Sequence, residues 1–167
     1  MGIEIERKFR VVGEGWRAQA SRSVRIAQGY INDMAALREG RQNASVRVRI
    51  AGDQAFLNLK SRELGTTRQE FDYPVPVADA EALLALCVGG RIDKVRHYVE
   101  VEGHTFEVDE FAGENAGLVV AELELEAAGQ AYPRPAWLGL EVTDELRYYN
   151  LALAERPYAR WSAQEQH

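Results

Sequence analysis

Charged and apolar residues alternate along most of this chain, and that alternation predicts β-strands with one polar and one apolar face. In the segment SVRVRI, Arg47 and Arg49 share one face, while Val46, Val48 and Ile50 share the other. The same two-residue period recurs between turn signals that contain Gly or Pro. It predicts eight strands, at Ile3–Phe9, Val24–Asn32, Ser45–Ile50, Ala55–Ser61, Thr67–Tyr73, Arg91–Val101, Thr105–Phe111 and Leu118–Ala127.

Three other segments predict helices. The Ala- and Leu-rich segment Val77–Cys87 carries acidic residues near its start, where the helix dipole favours negative charge. Thr143–Glu155 begins at a residue that can cap a helix and ends before Pro157, and Gly15–Ser21 is a short third candidate. With 167 residues and no linker-like tract, the chain is expected to form a single domain, 1–167, that is mainly antiparallel β with a few helices.

Composition disfavours several classes of protein. The net charge of −6 disfavours general affinity for nucleic acid, and no apolar run approaches the roughly 18 residues that a membrane helix needs. The charged stretch MGIEIERKFR does not fit a secretory signal, and the one cysteine, Cys87, cannot form an internal disulfide. We therefore expect a cytoplasmic protein with no nucleic-acid or membrane partner.

The polar faces of the predicted strands are almost wholly ionic, which permits two interpretations. A half-buried antiparallel sheet presents an apolar face to its core and a polar face to solvent. Alternatively the ionic faces turn inward, since eight strands can close into a barrel around one small ligand. Carboxylates then suit Mg²⁺ or Mn²⁺ and the cations suit phosphate oxygens, so a metal-bound polyphosphate satisfies both sets. The alternation alone leaves both interpretations open.

A series of motifs extends in order over nearly the whole chain. The first motif is EIERK, and a short charged string of this kind recurs by chance, so the specificity comes from the ordered set. The further motifs are QGY (Gln28–Tyr30), RVR (Arg47–Arg49), LK (Leu59–Lys60), RQEF (Arg68–Phe71), DKVR (Asp93–Arg96), VDEFAGENAGLVVAELELE (Val108–Glu126) and WLGLEVT (Trp137–Thr143). In this order the motifs resemble those of the CYTH superfamily, the triphosphate tunnel metalloenzymes, whose ExExK signature the first motif matches.

The resemblance implies a fold and an activity. The implied fold is α+β, mainly β: an eight-stranded antiparallel closed barrel that forms a tunnel, with a charged lumen and a few helices packed outside. The implied activity is divalent-metal-dependent hydrolysis of the terminal phosphoanhydride of triphosphates, with inorganic triphosphate favoured and nucleoside triphosphates as further substrates. Two alternatives stay open at this point, a class IV-type adenylate cyclase and a non-catalytic module that binds polyphosphate or a nucleotide.

The resemblance also implies roles for individual residues, with Mg²⁺ or Mn²⁺ as cofactor, a small-molecule triphosphate as substrate and a homodimer as a plausible assembly. Lys8, Asp109 and Glu124 are the expected catalytic residues. The expected metal ligands are Glu4, Glu6, Asp109, Glu122 and Glu124. The expected substrate-binding residues are Lys8, Arg47, Arg49, Lys60, Arg68, Lys94 and Arg96, with Tyr30 and Arg147 as weaker candidates at the tunnel mouth.

Overall fold

One antiparallel sheet dominates the structure of the chain, a computed structural model that describes residues 5–62 and 69–167. Three short helices accompany it in these residues, α1 (Met34–Arg38), α2 (Val77–Leu84) and α3 (Asn150–Glu155). None of the helices in the described ranges has the length and apolar character needed to cross a membrane. The nine strands of the described sheet are β1 (Ile5–Val11), β2 (Ala20–Tyr30), β3 (Ala44–Ala51), β4 (Gln54–Ser61), β5 (Glu70–Val75), β6 (Val88–Val101), β7 (His104–Phe111), β8 (Val119–Leu125) and β9 (Leu138–Glu141).

The strand order confirms the predicted fold class and adds one strand to it. Neighbouring strands follow the order β5-β4-β3-β2-β6-β7-β8-β1-β9, and every pair is antiparallel. The ninth strand, β9, pairs with β1 and was not predicted, because its four residues are too few to show an alternating period. Within the described residues, no hydrogen-bonded ladder joins the edge strands β5 and β9.

Several element bounds differ from the prediction for identifiable reasons. Pro74 lies inside β5, which is tolerated because β5 is an edge strand and the missing N–H costs no bond there. The predicted helix Thr143–Glu155 is helical only in α3, after a 3₁₀ turn at Leu146–Tyr148. The unpredicted helix α1 begins after Asp33, whose side chain accepts a hydrogen bond from a backbone N–H of the first turn. The parts of two predicted strands at residues 3–4 and 67–68 lie outside the described residues.

Apolar side chains on the outer face of the sheet form two buried clusters. Phe9, Phe106 and Leu123 from neighbouring strands pack with Trp16 and Trp137, which lie in flanking segments. A second cluster joins the outer faces of β2, β3 and β4 to α2. The apolar faces of the strands are therefore covered from outside, and the opposite, charged faces point inward.

The C-terminal segment departs from the prediction that the helices pack outside the sheet. Leu153 of α3 and Trp161 pack in one cluster with Tyr30 and Phe111. Those two aromatic residues belong to the charged face, because Tyr30 lies opposite Arg47 in the ladder and Phe111 lies opposite a lysine of β6. Helix α3 thus lies at one end of the space inside the sheet, while α2 packs outside as predicted.

We expect Gly90→Ala to destabilise the protein, because β6 and α3 approach each other closely at this glycine. A Cβ at position 90 would lie 2.8 Å from the carbonyl oxygen of Ala154, a backbone atom that cannot turn away. The expected loss is about 1–3 kcal/mol in the free energy of unfolding, measured by urea denaturation. Gly15→Ala is the control, since a Cβ there meets nothing within 4 Å. Equal stability of both variants would contradict the close packing of α3 on β6.

Candidate functional site

The charged faces of β1 and β8 bring carboxylates and a lysine together. In this ladder Lys8 lies opposite Glu122, and Glu6 lies opposite Glu124. The Nζ atom of Lys8 is buried and lies 3.1 Å from Oε1 of Glu122. Four predicted site residues therefore share one region of the inner surface. Glu4, the remaining acid of the first motif, lies outside the described residues.

Asp109 is almost fully buried on the charged face and accepts hydrogen bonds from two cations. Nζ of Lys94 lies 2.7 Å from Oδ2, while Nε and one terminal nitrogen of Arg96 lie 2.8 Å from Oδ1 and Oδ2. Burial alone would raise the pKa of Asp109, but the two cations outweigh it and lower this pKa to about 2. Burial lowers the pKa of Lys94 in turn.

Arg96 also links this centre to two further carboxylates, on β7 and β8. Its terminal nitrogens lie 2.7 Å from Glu107 and 3.4 Å from Glu122. The structure places Glu107 on the charged face, opposite Glu122 and in contact with Arg96. The alternation in HTFEVDEF is the signal for this placement, since it puts Glu107 on the same face as Asp109.

Carboxylates outnumber cations along this wall, which we call the acidic wall: Glu6, Glu107, Glu122 and Glu124. Partial burial and the charge of Glu122 raise the pKa of Glu6 to about 7. Burial also raises the pKa of Glu107, although the charge of Arg96 opposes it. Glu107 and Glu124 line a cavity of about 750 Å³ beside the turn between β6 and β7. Negative charge is therefore only partly balanced here.

The opposite imbalance occurs on β3 and β4, where Arg47, Arg49 and Lys60 form what we call the basic wall. Within residues 5–62 and 69–167, no carboxylate oxygen lies within 4.0 Å of either arginine, and Lys60 lies 3.7 Å from Glu70. Burial, together with the charges of Arg47 and Arg96, lowers the pKa of Arg49 to about 10. This wall has positive charge available for an anion. Arg68 lies outside the described residues.

Residues of the C-terminal segment contact the two buried lysines, although no sequence pattern predicts these contacts. Nζ of Lys8 lies 3.9 Å above the ring of Tyr149 and 3.5 Å from the carbonyl oxygen of Tyr148. Nζ of Lys94 lies 3.4 Å from Oδ1 of Asn150. These residues lie in a 3₁₀ turn or directly after it rather than in a strand, so no alternating period marked them.

The two weaker candidates, Tyr30 and Arg147, lie in different surroundings. Tyr30 is buried opposite Arg47, and burial raises its pKa while the two arginines of the basic wall oppose that rise. Arg147 lies over the rings of Tyr148 and Trp161, 5.1 Å from each ring centre, and pairs with Glu145 and Glu165. The structure thus brings Tyr30 to the basic wall and places Arg147 with the aromatic cluster around α3.

The chemistry of the acidic wall fits a divalent cation. Carboxylate oxygens are the ligands that Mg²⁺ and Mn²⁺ prefer. Burial and the charge of Glu122 both disfavour the ionised form of Glu6, and a bound cation would offset that. Among the described residues, no three His, Cys, Asp or Glu side chains are gathered closely enough to hold a metal ion. These residues therefore supply suitable donors but do not by themselves form a complete ligand set.

The fold and this site define an antiparallel sheet that encloses an ionic surface, with the basic wall on β3 and β4 and the acidic wall on β7, β8 and β1. The chain belongs to the CYTH domain family, whose model matches residues 2–158. Triphosphatases of this family are in general metal-dependent.

Individual relatives support this assignment over almost the full length. An inorganic triphosphatase from Acetivibrio thermocellus is 42% identical over 159 residues, which is 95% of this chain and 97% of the relative. An inorganic triphosphatase from Nitrosomonas europaea is 37% identical over 158 residues, which is 90% of this chain and 96% of the relative. The crystal structure of the inorganic triphosphatase NE1496 matches with a TM-score of 0.71 at 33% identity, covering 92% of this chain and 95% of that one.

We expect Asp109→Asn to lower the free energy of unfolding by about 3 kcal/mol at pH 7, because it leaves two buried cations without their shared carboxylate. The pKa of Asp109 lies below its ordinary 3.8, so the stabilisation is complete above pH 3.8 and is lost as the pH falls towards about 2. The difference between wild type and variant should therefore shrink in urea titrations below pH 4.

Asp93→Asn is the matched control for this prediction. Asp93 also pairs with an arginine, Arg91, but that pair is partly exposed at the surface. We expect its removal to cost less than about 1 kcal/mol. An Asp109→Asn variant as stable as Asp93→Asn would show that the buried pairs contribute no more than a surface pair.

Proposed function

We propose that this chain is a divalent-metal-dependent triphosphatase that hydrolyses the terminal phosphoanhydride of inorganic triphosphate. The observation that carries the proposal is the presence of an acidic wall and a basic wall on the charged face of one sheet, each with charge that its neighbours only partly balance. A triphosphate anion with a bound divalent cation complements both walls at once. The names of the two curated relatives support the same substrate.

The basic residues of the site bind the substrate in this proposal. The arginines offer forked donors to phosphoryl oxygens, and the lysines offer compact positive charge. Together they offset the charge that builds up on the transferring phosphoryl group and on the departing diphosphate. The proposed substrate-binding residues are Lys8, Arg47, Arg49, Lys60, Lys94 and Arg96, with Arg68 added from the sequence.

The carboxylates of the acidic wall, together with Glu4, are the proposed ligands of Mg²⁺ or Mn²⁺. A bound divalent cation supplies positive charge to the phosphate oxygens and lowers the pKa of water. Asp109 stays a predicted metal ligand. Both of its oxygens accept hydrogen bonds from Lys94 and Arg96, so binding a metal there requires those cations to turn towards the phosphates.

The proposed reaction is an in-line displacement without a covalent enzyme intermediate. The oxygen of a water molecule forms a bond to the terminal phosphorus, and the bond from that phosphorus to the bridging oxygen breaks. The bridging oxygen leaves with the electron pair as part of diphosphate, and a carboxylate of the acidic wall accepts the proton of the water. Glu124 is the proposed acceptor, because the described residues give it no cationic partner within 4.0 Å.

The proposal extends to the whole chain and its setting. One domain spans residues 1–167, in line with a family match that covers residues 2–158. A single cysteine fits a reducing cytoplasm. Neither nucleic acid nor a membrane is needed as a partner, and a homodimer stays a prediction from the sequence.

We expect the purified chain to release phosphate from inorganic triphosphate with Mg²⁺ or Mn²⁺ and to lose this activity in EDTA. Lys8→Met and Glu122→Gln should each lower kcat/KM by about 10²–10³, because each removes charge from the inner surface at the point where the two side chains pair. A colorimetric phosphate assay measures the release, and thermal melting confirms that the variants fold.

Arg25→Gln is the matched control, because Arg25 lies on the outer face of β2, beside α2, and should leave the activity unchanged. Chromatography of products from ATP separates hydrolysis, which gives ADP, from cyclisation, which gives cyclic AMP. Absence of phosphate release from inorganic, nucleoside and thiamine triphosphates with either metal would refute the proposed function.

A further inference from the structure

A fully buried amide, that of Gln28 on β2, lies beside the basic wall and has no role in the function proposed above. In the ladder between β2 and β3, Gln28 lies directly opposite Arg49, and the next pair on the same face is Tyr30 opposite Arg47. Gln28 has no exposed surface, and its Oε1 accepts a hydrogen bond of 2.9 Å from Nε of Arg49. A buried glutamine at this place is costly unless its polar atoms have partners.

One half of this amide lacks a partner. Within the described residues, Nε2 of Gln28 is buried without an acceptor, and the same is true of Nε of Arg47. The amide cannot be turned round to cure this, because its nitrogen would then face Nε of Arg49, which is also a donor. The pairs Gln28–Arg49 and Tyr30–Arg47 follow one another on the same face of the ladder. Two buried N–H donors without acceptors at this place indicate that a group rich in acceptor atoms binds here.

The neighbouring side chains specify the chemistry of that group. Arg47 and Arg49 have no carboxylate within 4.0 Å among the residues that the structure describes, so the local charge is positive. A phosphoryl group brings several acceptor oxygens and negative charge together, whereas a water molecule brings no charge.

We infer that Gln28 is a substrate-positioning residue: its Oε1 orients the guanidinium of Arg49, and its Nε2 donates to a phosphoryl oxygen of the bound triphosphate. This inference rests on the proposed function. It assigns Gln28 a dual task that a neutral amide can perform, because an amide carries an acceptor and a donor on one rigid plane. Arg49 is thereby held in place without losing its charge to a carboxylate.

Two substitutions separate this task from a structural role. Gln28→Met keeps the length of the side chain and removes both hydrogen bonds, so we expect KM for inorganic triphosphate to rise about tenfold. Gln28→Glu keeps the acceptor for Arg49 but replaces the donor with negative charge, so KM should rise at least as much although the fold is retained. A merely structural Gln28 gives a different result, since Gln28→Met would then lower the free energy of unfolding and leave the KM of the folded protein unchanged.

A double-mutant cycle tests whether Gln28 acts through Arg49. Lysine at position 49 lacks the Nε–H group that donates a hydrogen bond to Gln28. Gln28→Met should therefore lower kcat/KM by a smaller factor in an Arg49→Lys background than in the wild type. Penalties that simply add would overturn this part of the inference. Gln54→Met is the control for a glutamine exposed at the start of β4, and its KM should equal that of the wild type.

Calorimetry in EDTA distinguishes failure of this inference from failure of the proposed function. Titration with inorganic triphosphate then measures anion binding in the absence of turnover, and the Gln28→Met and Gln28→Glu variants should bind about tenfold more weakly. If the wild type neither binds nor hydrolyses triphosphate, the proposed function is wrong. If the wild type does both and the two variants match it, only the assignment of Gln28 is wrong. Should Gln28→Met fail to fold, the KM of Gln28→Leu decides, because leucine likewise removes both hydrogen bonds without adding charge.

Discussion

Asp109 holds Lys94 and Arg96 at the centre of the inner surface, and the other charges of that surface are arranged around this contact. Each unpaired ion in a protein interior costs about several kcal/mol, so a sheet that turns its ionic face inward must pair those ions or admit counter-charges from outside. Asp109 meets this condition for two cations at once. Arg96 extends the pairing to Glu107 and Glu122, which joins three strands by charge as well as by backbone hydrogen bonds.

The pairing leaves negative charge in excess on one side of the inner surface and positive charge in excess on the other, and the proposed chemistry depends on both. On the side of β1 and β8 the carboxylates are in excess, and burial together with the charge of Glu122 raises the pKa of Glu6 to about 7. On the side of β3 and β4 the cations are in excess, and burial together with the charges of Arg47 and Arg96 lowers the pKa of Arg49 to about 10. A bound cation alone would balance the excess charge of the acidic wall only, and a bound anion alone would balance that of the basic wall only. A polyphosphate with its divalent cation corrects both, and it extends across the surface from one wall to the other.

Much of the fold followed from the sequence, because the alternation in segments such as Ser45–Ile50 marks strands and assigns their faces. It could not tell which face points inward, since a period of two is the same for a sheet that solvates its charges and for one that encloses them. The ordered motifs supplied that choice. Elements whose positions depend on distant contacts escaped prediction: β9 is fixed by pairing with β1, and Tyr149 reaches Lys8 across 141 positions of the chain. Gln28 stood within a recognised motif, yet only the structure shows that half of its amide is unpaired.

The partners of the cations divide them into two kinds. Lys94 and Arg96 are held by carboxylates, which fix them firmly but cancel much of their charge. Arg49 is held by the neutral amide of Gln28, which fixes its direction and leaves its charge intact. A site that must recognise an anion needs the second kind, because a cation already neutralised offers little to a phosphate. It also needs the first kind, because cations packed at this density would otherwise repel one another. Asp109 balances two buried cations, whereas Gln28 holds Arg49 without balancing its charge. The inner surface can therefore enclose many charges and still offer positive charge to an anion.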